Sequence, residues 1–246
     1  MSLDAAEEFQ VERLFTELKP AIVLMPAAEA NVDLCERCPE VSLRANLNAV
    51  QNVVCQCRRT GAKLVFLSTD YVFDGANGPY SETDPERPLN VYGRHKLLAE
   101  QYVNESNVDS LIVRTSLVYG ASSVARGFIG FVADHLRRSI PFRVSAEHQS
   151  SPTFVGDLVS GISSLLAKGS RGLYHLSGPI TYARFDIART IAAVLRMDES
   201  LILSTAGEQR DETAPRPLKC GLRIEKAIRE IAYRPLSLVE GLNRLF

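Results

Sequence analysis

Three uninterrupted apolar runs constrain this chain more than any other feature of its sequence. Ala21-Ile22-Val23-Leu24-Met25, residues 63–68 (KLVFLS) and Leu111-Ile112-Val113-Arg114 show no alternation of polar and apolar positions, so a strand built from any of them is out of water on both faces. Strands of that kind belong to parallel sheets, whose crossover connections lay helices over both sides. The segments between the runs have the matching helical period. Residues 6–18 set Phe9, Leu14, Phe15 and Leu18 on or near one face and stop before Pro20. Residues 40–59 repeat Leu43, Leu47, Val50 and Val54 and stop at Gly61, and a third helix runs from Tyr92 through Leu97, Leu98 and Tyr102 to Asn104. The pattern predicts an α/β fold with a doubly wound parallel sheet, and Ala21 to Met25 reads as too apolar for a water-exposed edge.

Beyond Tyr119-Gly120 the elements shorten. Helices are predicted over 128–138, 157–167, 184–195 and 223–230, with short strands at Phe142-Arg143-Val144 and Leu173-Tyr174-His175-Leu176. This texture suits a small lobe that contacts a substrate, and it divides the chain into 1–120 and a mixed region, 121–246. A chain of 246 residues is one large domain or two small ones, and 28 Lys+Arg against 29 Asp+Glu excludes a broadly basic nucleic-acid binder. No run approaches the ~18 apolar residues of a membrane span. The start, MSLDAAEEF, lacks the basic and apolar segments of a secretion signal, so a cytoplasmic location is expected. Five cysteines without such a signal do not read as a disulfide scaffold. Cys35 and Cys38 form a C-x-x-C and Cys55 and Cys57 a C-x-C, but the second spacing is poor for zinc, and no metal site is expected. His95 reads as solvated.

The chemistry concentrates in two segments, Leu67-Ser68-Thr69-Asp70-Tyr71-Val72-Phe73-Asp74-Gly75 and Tyr92-Gly93-Arg94-His95-Lys96. Tyr92 and Lys96 stand four residues apart and share one helix face. A neighbouring ammonium favours the phenolate and so draws a tyrosine down from its ordinary pKa of about 10. Thr69 closes a parallel strand, where open α/β sheets place their ligand contacts. Together they supply a hydroxyl donor, a tunable acid and a cation. A Tyr-x-x-x-Lys pair alone is a weak signal; its specificity comes from the Ser-Thr-Asp-Tyr-Val-Phe-Asp-Gly segment before it and from Pro88-Leu89-Asn90-Val91, which leads into the tyrosine.

These residues resemble the extended short-chain dehydrogenase/reductase superfamily and, within it, the dTDP-4-dehydrorhamnose reductase family. The resemblance runs from about Asp4 onward and takes in 114–120, 149–153, Tyr174-His175-Leu176-Ser177-Gly178, which matches a substrate-lobe segment, and Ala214-Pro215-Arg216-Pro217. It implies a Rossmann-like fold with a small C-terminal substrate lobe. The implied reaction is hydride transfer from NADP or NAD, in reduced form, to the C4 ketone of a nucleotide-linked deoxysugar. Tyr92 would deliver the proton, Lys96 would support Tyr92 and bind the nicotinamide ribose, and Thr69 would bond the ketone oxygen. Ala27, Ala28 and Ser68 join Tyr92 and Lys96 as cofactor contacts. Asp70, Tyr71, Phe73, Asn90 and Arg216 are implied substrate contacts, Arg216 through its planar fork to a phosphate.

Two departures accompany the resemblance. The first glycine is Gly61, so no glycine-rich turn holds a dinucleotide pyrophosphate, and Asp4 aligns just after the family's second strand. The expected sheet therefore lacks its usual first βαβ unit, cofactor affinity is weakened, and Ala21 to Met25 becomes an apolar edge covered by a second copy or a partner chain. The other departure is Met25-Pro26-Ala27-Ala28-Glu29, where the reductases carry an Asn-Ala-Ala-Ala-Tyr-like stretch. Its Ala-Ala-Glu is similar to the regulatory β subunit of methionine adenosyltransferase, which implies an alternative: a non-catalytic interaction subunit. A nucleotide-sugar epimerase is a third reading that the Ser-Thr-Asp-Tyr-Val-Phe segment fits less well.

Overall fold

The computed structural model describes residues 3–121, 127–205 and 213–246, so the first two residues of the N-terminal stretch lie outside it. In chain order the first half is α1 (Glu8–Leu18), β1 (Ile22–Met25), α2 (Val32–Arg37), α3 (Pro39–Leu43), a π turn (Arg44–Asn48), α4 (Ala49–Thr60), β2 (Lys63–Thr69), a 3₁₀ turn (Asp70–Val72), α5 (Val91–Glu105) and β3 (Ser110–Thr115). There follow β4 (Val118–Tyr119), α6 (Phe128–Arg137), β5 (Phe142–Ser145), β6 (Gln149–Ser150), β7 (Thr153–Phe154), α7 (Val155–Ala167) and β8 (Gly172–His175). The chain closes with β9 (Tyr182–Ala183), α8 (Arg184–Leu195), β10 (Ile202–Thr205), α9 (Glu225–Ile231) and α10 (Leu238–Asn243).

The main sheet is parallel throughout, in the order β1-β2-β3-β8. Successive strand residues point to opposite faces, and in β2 and β3 both faces are buried. Leu64, Phe66 and Ile112 pack with Val50, Val54, Ala99 and Val103 of α4 and α5, while Val65, Leu111 and Val113 pack with Leu158, Ile162 and Leu165 of α7. That is the Rossmann-like α/β arrangement the apolar runs predict.

Three expectations need correction. In α1 the buried residues are Val11 and Phe15, whereas Phe9 and Leu18 are 72% and 66% exposed. Phe9 lies two residues, about half a turn, from Val11 and so faces away from the sheet. The strand at 22–25 is the edge of the sheet, against the reading of 21–25 as too apolar for an exposed edge and in line with the expectation of an apolar edge there, with Ile22 and Leu24 about half exposed and only Val23 and Met25 packed in the core. The short strand at 172–175 is not part of the small lobe but pairs with β3 in the main sheet.

The helix predicted over 40–59 runs without a break from Pro39 to Thr60, with a π turn at Arg44–Asn48 inside it. Asn46 sits there, 1% exposed, its amide donating to the Glu29 carbonyl and the Ser42 hydroxyl and its oxygen accepting the Glu29 N–H. A buried amide satisfied on both ends fixes the loop after β1 against this helix. The small lobe has its own core of Ile129, Val132, Val144, Ile187, Ile191, Ile202 and Leu242, with β5 and β10 paired in parallel. Among the described residues no helix is long and apolar enough to cross a membrane.

Candidate active site

The site forms where β2 ends and α5 begins. Thr69 is the last residue of β2, and its hydroxyl accepts the Tyr71 N–H at 3.2 Å, which turns the chain into the 3₁₀ segment and leaves Asp70, Tyr71 and Val72 at the carboxyl end of the sheet. Asn90 caps α5 by accepting the Gly93 N–H at 2.8 Å. Glycine is required at 93 because a Cβ there would stand 2.2 Å from the Tyr71 carbonyl oxygen. This close approach brings the Tyr92 ring edge-on to Tyr71, 6.0 Å between centroids, and its phenol beside the Thr69 side chain.

Lys96 lies one turn further along α5, 2% exposed, its ammonium donating to the Leu67 carbonyl at 2.6 Å and resting 4.0 Å over the Phe66 ring. Burial pushes its pKa down to about 7, against the opposing field of Glu100. The expectation that Lys96 lowers the pKa of Tyr92 does not hold. Burial raises the Tyr92 phenol above its ordinary value, the Thr69 side chain pulls the other way, and Asp70 and Tyr71 add to the rise. Tyr92 therefore holds its proton at neutral pH. A protonated phenol suits an acid that donates to a developing alkoxide.

Asp70 is 4% exposed beneath this pair, with Oδ2 accepting the Ser116 hydroxyl at 2.5 Å. Burial raises its pKa to about 6, while the Ser116 bond and the field of Arg184 oppose the rise. Burial also pushes Tyr71 up to about 12, opposed by Arg184 and Arg216. Ser116 and Arg184 are thus neighbours of the site to which sequence reasoning gave no role: Ser116 stands in the 114–120 segment just after β3, and Arg184 is the first residue of α8.

Other expected residues sit further from this cluster. Ser68 is 6% exposed at the end of β2 and its buried Oγ has no hydrogen-bond partner, an orphaned donor that fits a cofactor's polar group. Ala27 and Ala28 lie exposed in the turn after β1, where small side chains leave room for a ligand. The residues that fit a nicotinamide are present, but the chain contains no glycine-rich turn. Phe73 is fully buried and stacked on Tyr80 at 4.2 Å, so it packs the core rather than lining a substrate surface. Asn90 is likewise fully buried, divided between its cap and the Pro215 carbonyl. Arg216 is half-buried and ion-paired with Asp33 at 2.7 Å.

Arg114 serves the frame beneath the site. It is 1% exposed, forms two-pronged bonds to Glu100 and also reaches Glu86 at 2.6 Å, tying β3 to α5 one turn past Lys96. His95 is part-buried rather than solvated, its Nδ1 2.9 Å from the Ser42 hydroxyl. The five cysteine thiols are free.

Comparison with known proteins places the fold. The chain superposes on the crystal structure of dTDP-4-dehydrorhamnose reductase from Bacillus anthracis in complex with NADP with a TM-score of 0.92 and 31% identity, covering 99% of this chain and 86% of that one. It is 30% identical over 247 residues to a probable low-salt glycan biosynthesis reductase of Haloferax volcanii, covering 99% of this chain and 82% of the relative. It is 29% identical to methionine adenosyltransferase 2 subunit beta of Xenopus laevis, over 87% of this chain and 66% of that protein. The family described as RmlD substrate binding domain matches residues 1–246, and the chain belongs to that family.

Proposed function

We propose that this chain carries the site of an NAD(P)H-dependent reductase acting on the C4 ketone of a nucleotide-linked deoxysugar. The observation that carries the reading is the convergence of Thr69, Tyr92 and Lys96 at the carboxyl end of β2, with Tyr92 held in its protonated form. Reduced nicotinamide, when bound, supplies the hydride. Ala27, Ala28, Ser68 and Lys96 would hold it, Lys96 by exchanging its bond to the Leu67 carbonyl for a ribose hydroxyl. The Thr69 hydroxyl orients the ketone oxygen toward Tyr92, whose phenolic oxygen gives up its proton as the carbonyl becomes an alkoxide. Asp70 and Tyr71 frame the sugar side, Asn90 fixes the start of α5 behind them rather than touching the sugar, and the Arg216 guanidinium meets the phosphates. The open edge at Ile22 and Leu24 supports a covering chain, whether a second copy or a partner.

The likeness to the methionine adenosyltransferase β subunit favours a second reading, an interaction subunit that keeps the site without using it. Tyr92→Phe separates the two. Under the reductase reading, NADPH oxidation with a nucleotide-linked 4-ketosugar falls by at least about 100-fold while the melting temperature stays put. A Tyr92→Phe chain as active as wild type, or a wild-type chain that binds neither NADPH nor NADH up to millimolar concentration, would sink the enzyme reading.

A further inference from the structure

The six-residue helix α2 joins two parts of the site that lie far apart in sequence. Its Asp33 and Glu36 are three residues apart and share a face. Glu36 accepts the Val91 N–H at 2.8 Å, at the first residue of the helix that carries Tyr92 and Lys96. Asp33 uses both carboxylate oxygens on the 214–216 segment: Oδ1 accepts the Ala214 N–H at 3.0 Å, and Oδ2 accepts from the Arg216 guanidinium at 2.7 Å. Between these two, the Asn90 amide donates to the Pro215 carbonyl at 2.9 Å. Residues 214–216 are thereby fixed against the start of α5 by three side-chain bonds, two of them from Asp33.

We propose that Asp33 is a positioning residue for anion binding, holding the 214–216 arm and the Arg216 guanidinium in the orientation that meets the phosphates of the substrate. The inference rests on the reductase reading, which supplies a nucleotide-linked substrate. An arginine side chain has many rotamers, and a carboxylate that selects one of them before the anion arrives lowers what binding must spend on ordering. Asp33 is itself an anion and opposes an incoming phosphate. Its side chain is 26% exposed, so water and salt screen that repulsion, whereas the ordering of the guanidinium plane is not screened. Orientation therefore outweighs repulsion.

The test is calorimetric titration of thymidine diphosphate into the full chain, comparing wild type with Asp33→Asn, Arg216→Gln and the double variant. Asparagine keeps the size and the acceptor for the Ala214 N–H and removes the charge that orders Arg216. Asp33→Asn is expected to weaken binding about tenfold, Arg216→Gln at least as much, and the double variant no more than Arg216→Gln alone, because Asp33 acts through Arg216. An Asp33→Asn chain that binds as tightly as wild type or tighter, or additive losses in the double variant, overturns the role of Asp33 and leaves the reductase reading standing. A wild-type chain that does not bind thymidine diphosphate at millimolar concentration overturns both. If Asp33→Asn also melts lower, Asp33→Glu decides: affinity restored with the charge supports the proposal, and affinity still lost overturns it.

Discussion

Replacing Asp70 with asparagine tests whether the carboxylate beneath the site is held against its own solvation. Asp70 is 4% exposed and accepts the Ser116 hydroxyl at 2.5 Å, and burial nonetheless lifts its pKa from 3.8 to about 6. A carboxyl that binds its proton more tightly when folded than when unfolded contributes stability that is complete below the unfolded value and is lost as pH rises through the folded one. The span from 3.8 to about 6 is worth about 3 kcal/mol, of which about 2 kcal/mol falls between roughly pH 4.5 and roughly pH 7.5. Asparagine has the same shape and does not titrate. The stability of Asp70→Asn relative to wild type is therefore expected to rise by about 2 kcal/mol across that window, whatever constant offset the amide introduces. Urea unfolding of both chains at the two pH values measures the difference, and equal m-values confirm that the same surface is exposed. A difference that stays flat with pH, or that shrinks as pH rises, would refute the reasoning.

Lys96→Met removes a buried ammonium whose pKa falls from 10.5 to about 7 on folding. The penalty is complete below the folded value and vanishes above the unfolded one, so the variant melts higher than wild type at neutral pH, by a margin that closes in strong alkali. Arg114→Met leaves the Glu100 carboxylate buried without its partner and is expected to cost about 3–5 kcal/mol in chemical denaturation, most of it recovered when Glu100→Leu is added. Gly93→Ala drives a methyl group to 2.2 Å from the Tyr71 carbonyl, so it lowers the melting temperature and shifts Tyr92 away from Thr69; an unchanged melting temperature would contradict the packing described.

The parallel sheet was legible because a strand covered on both faces must be apolar at successive positions, and 64–67 and 111–113 are. The Tyr92 and Lys96 pair was legible because helical spacing alone puts both on one face. Other features were not local. The five apolar residues 21–25 by themselves read as a strand covered on both faces, and the edge position came only from the resemblance and its missing first βαβ unit, because coverage of Ile22 and Leu24 depends on what packs beside β1. Phe73 read as a contact from its motif, yet Tyr80 and the 3₁₀ turn bury it. Asp33 and Arg216 are 183 residues apart and meet only because α2 and the 214–216 arm both fold onto the start of α5. The sequence determined the sheet, the helices and the acid–cation pair, since these follow from periodicity within a dozen residues. The charge states belong to the tertiary structure: desolvation raises Tyr92 and lowers Lys96, and how much water a group loses is set by what the rest of the chain packs around it.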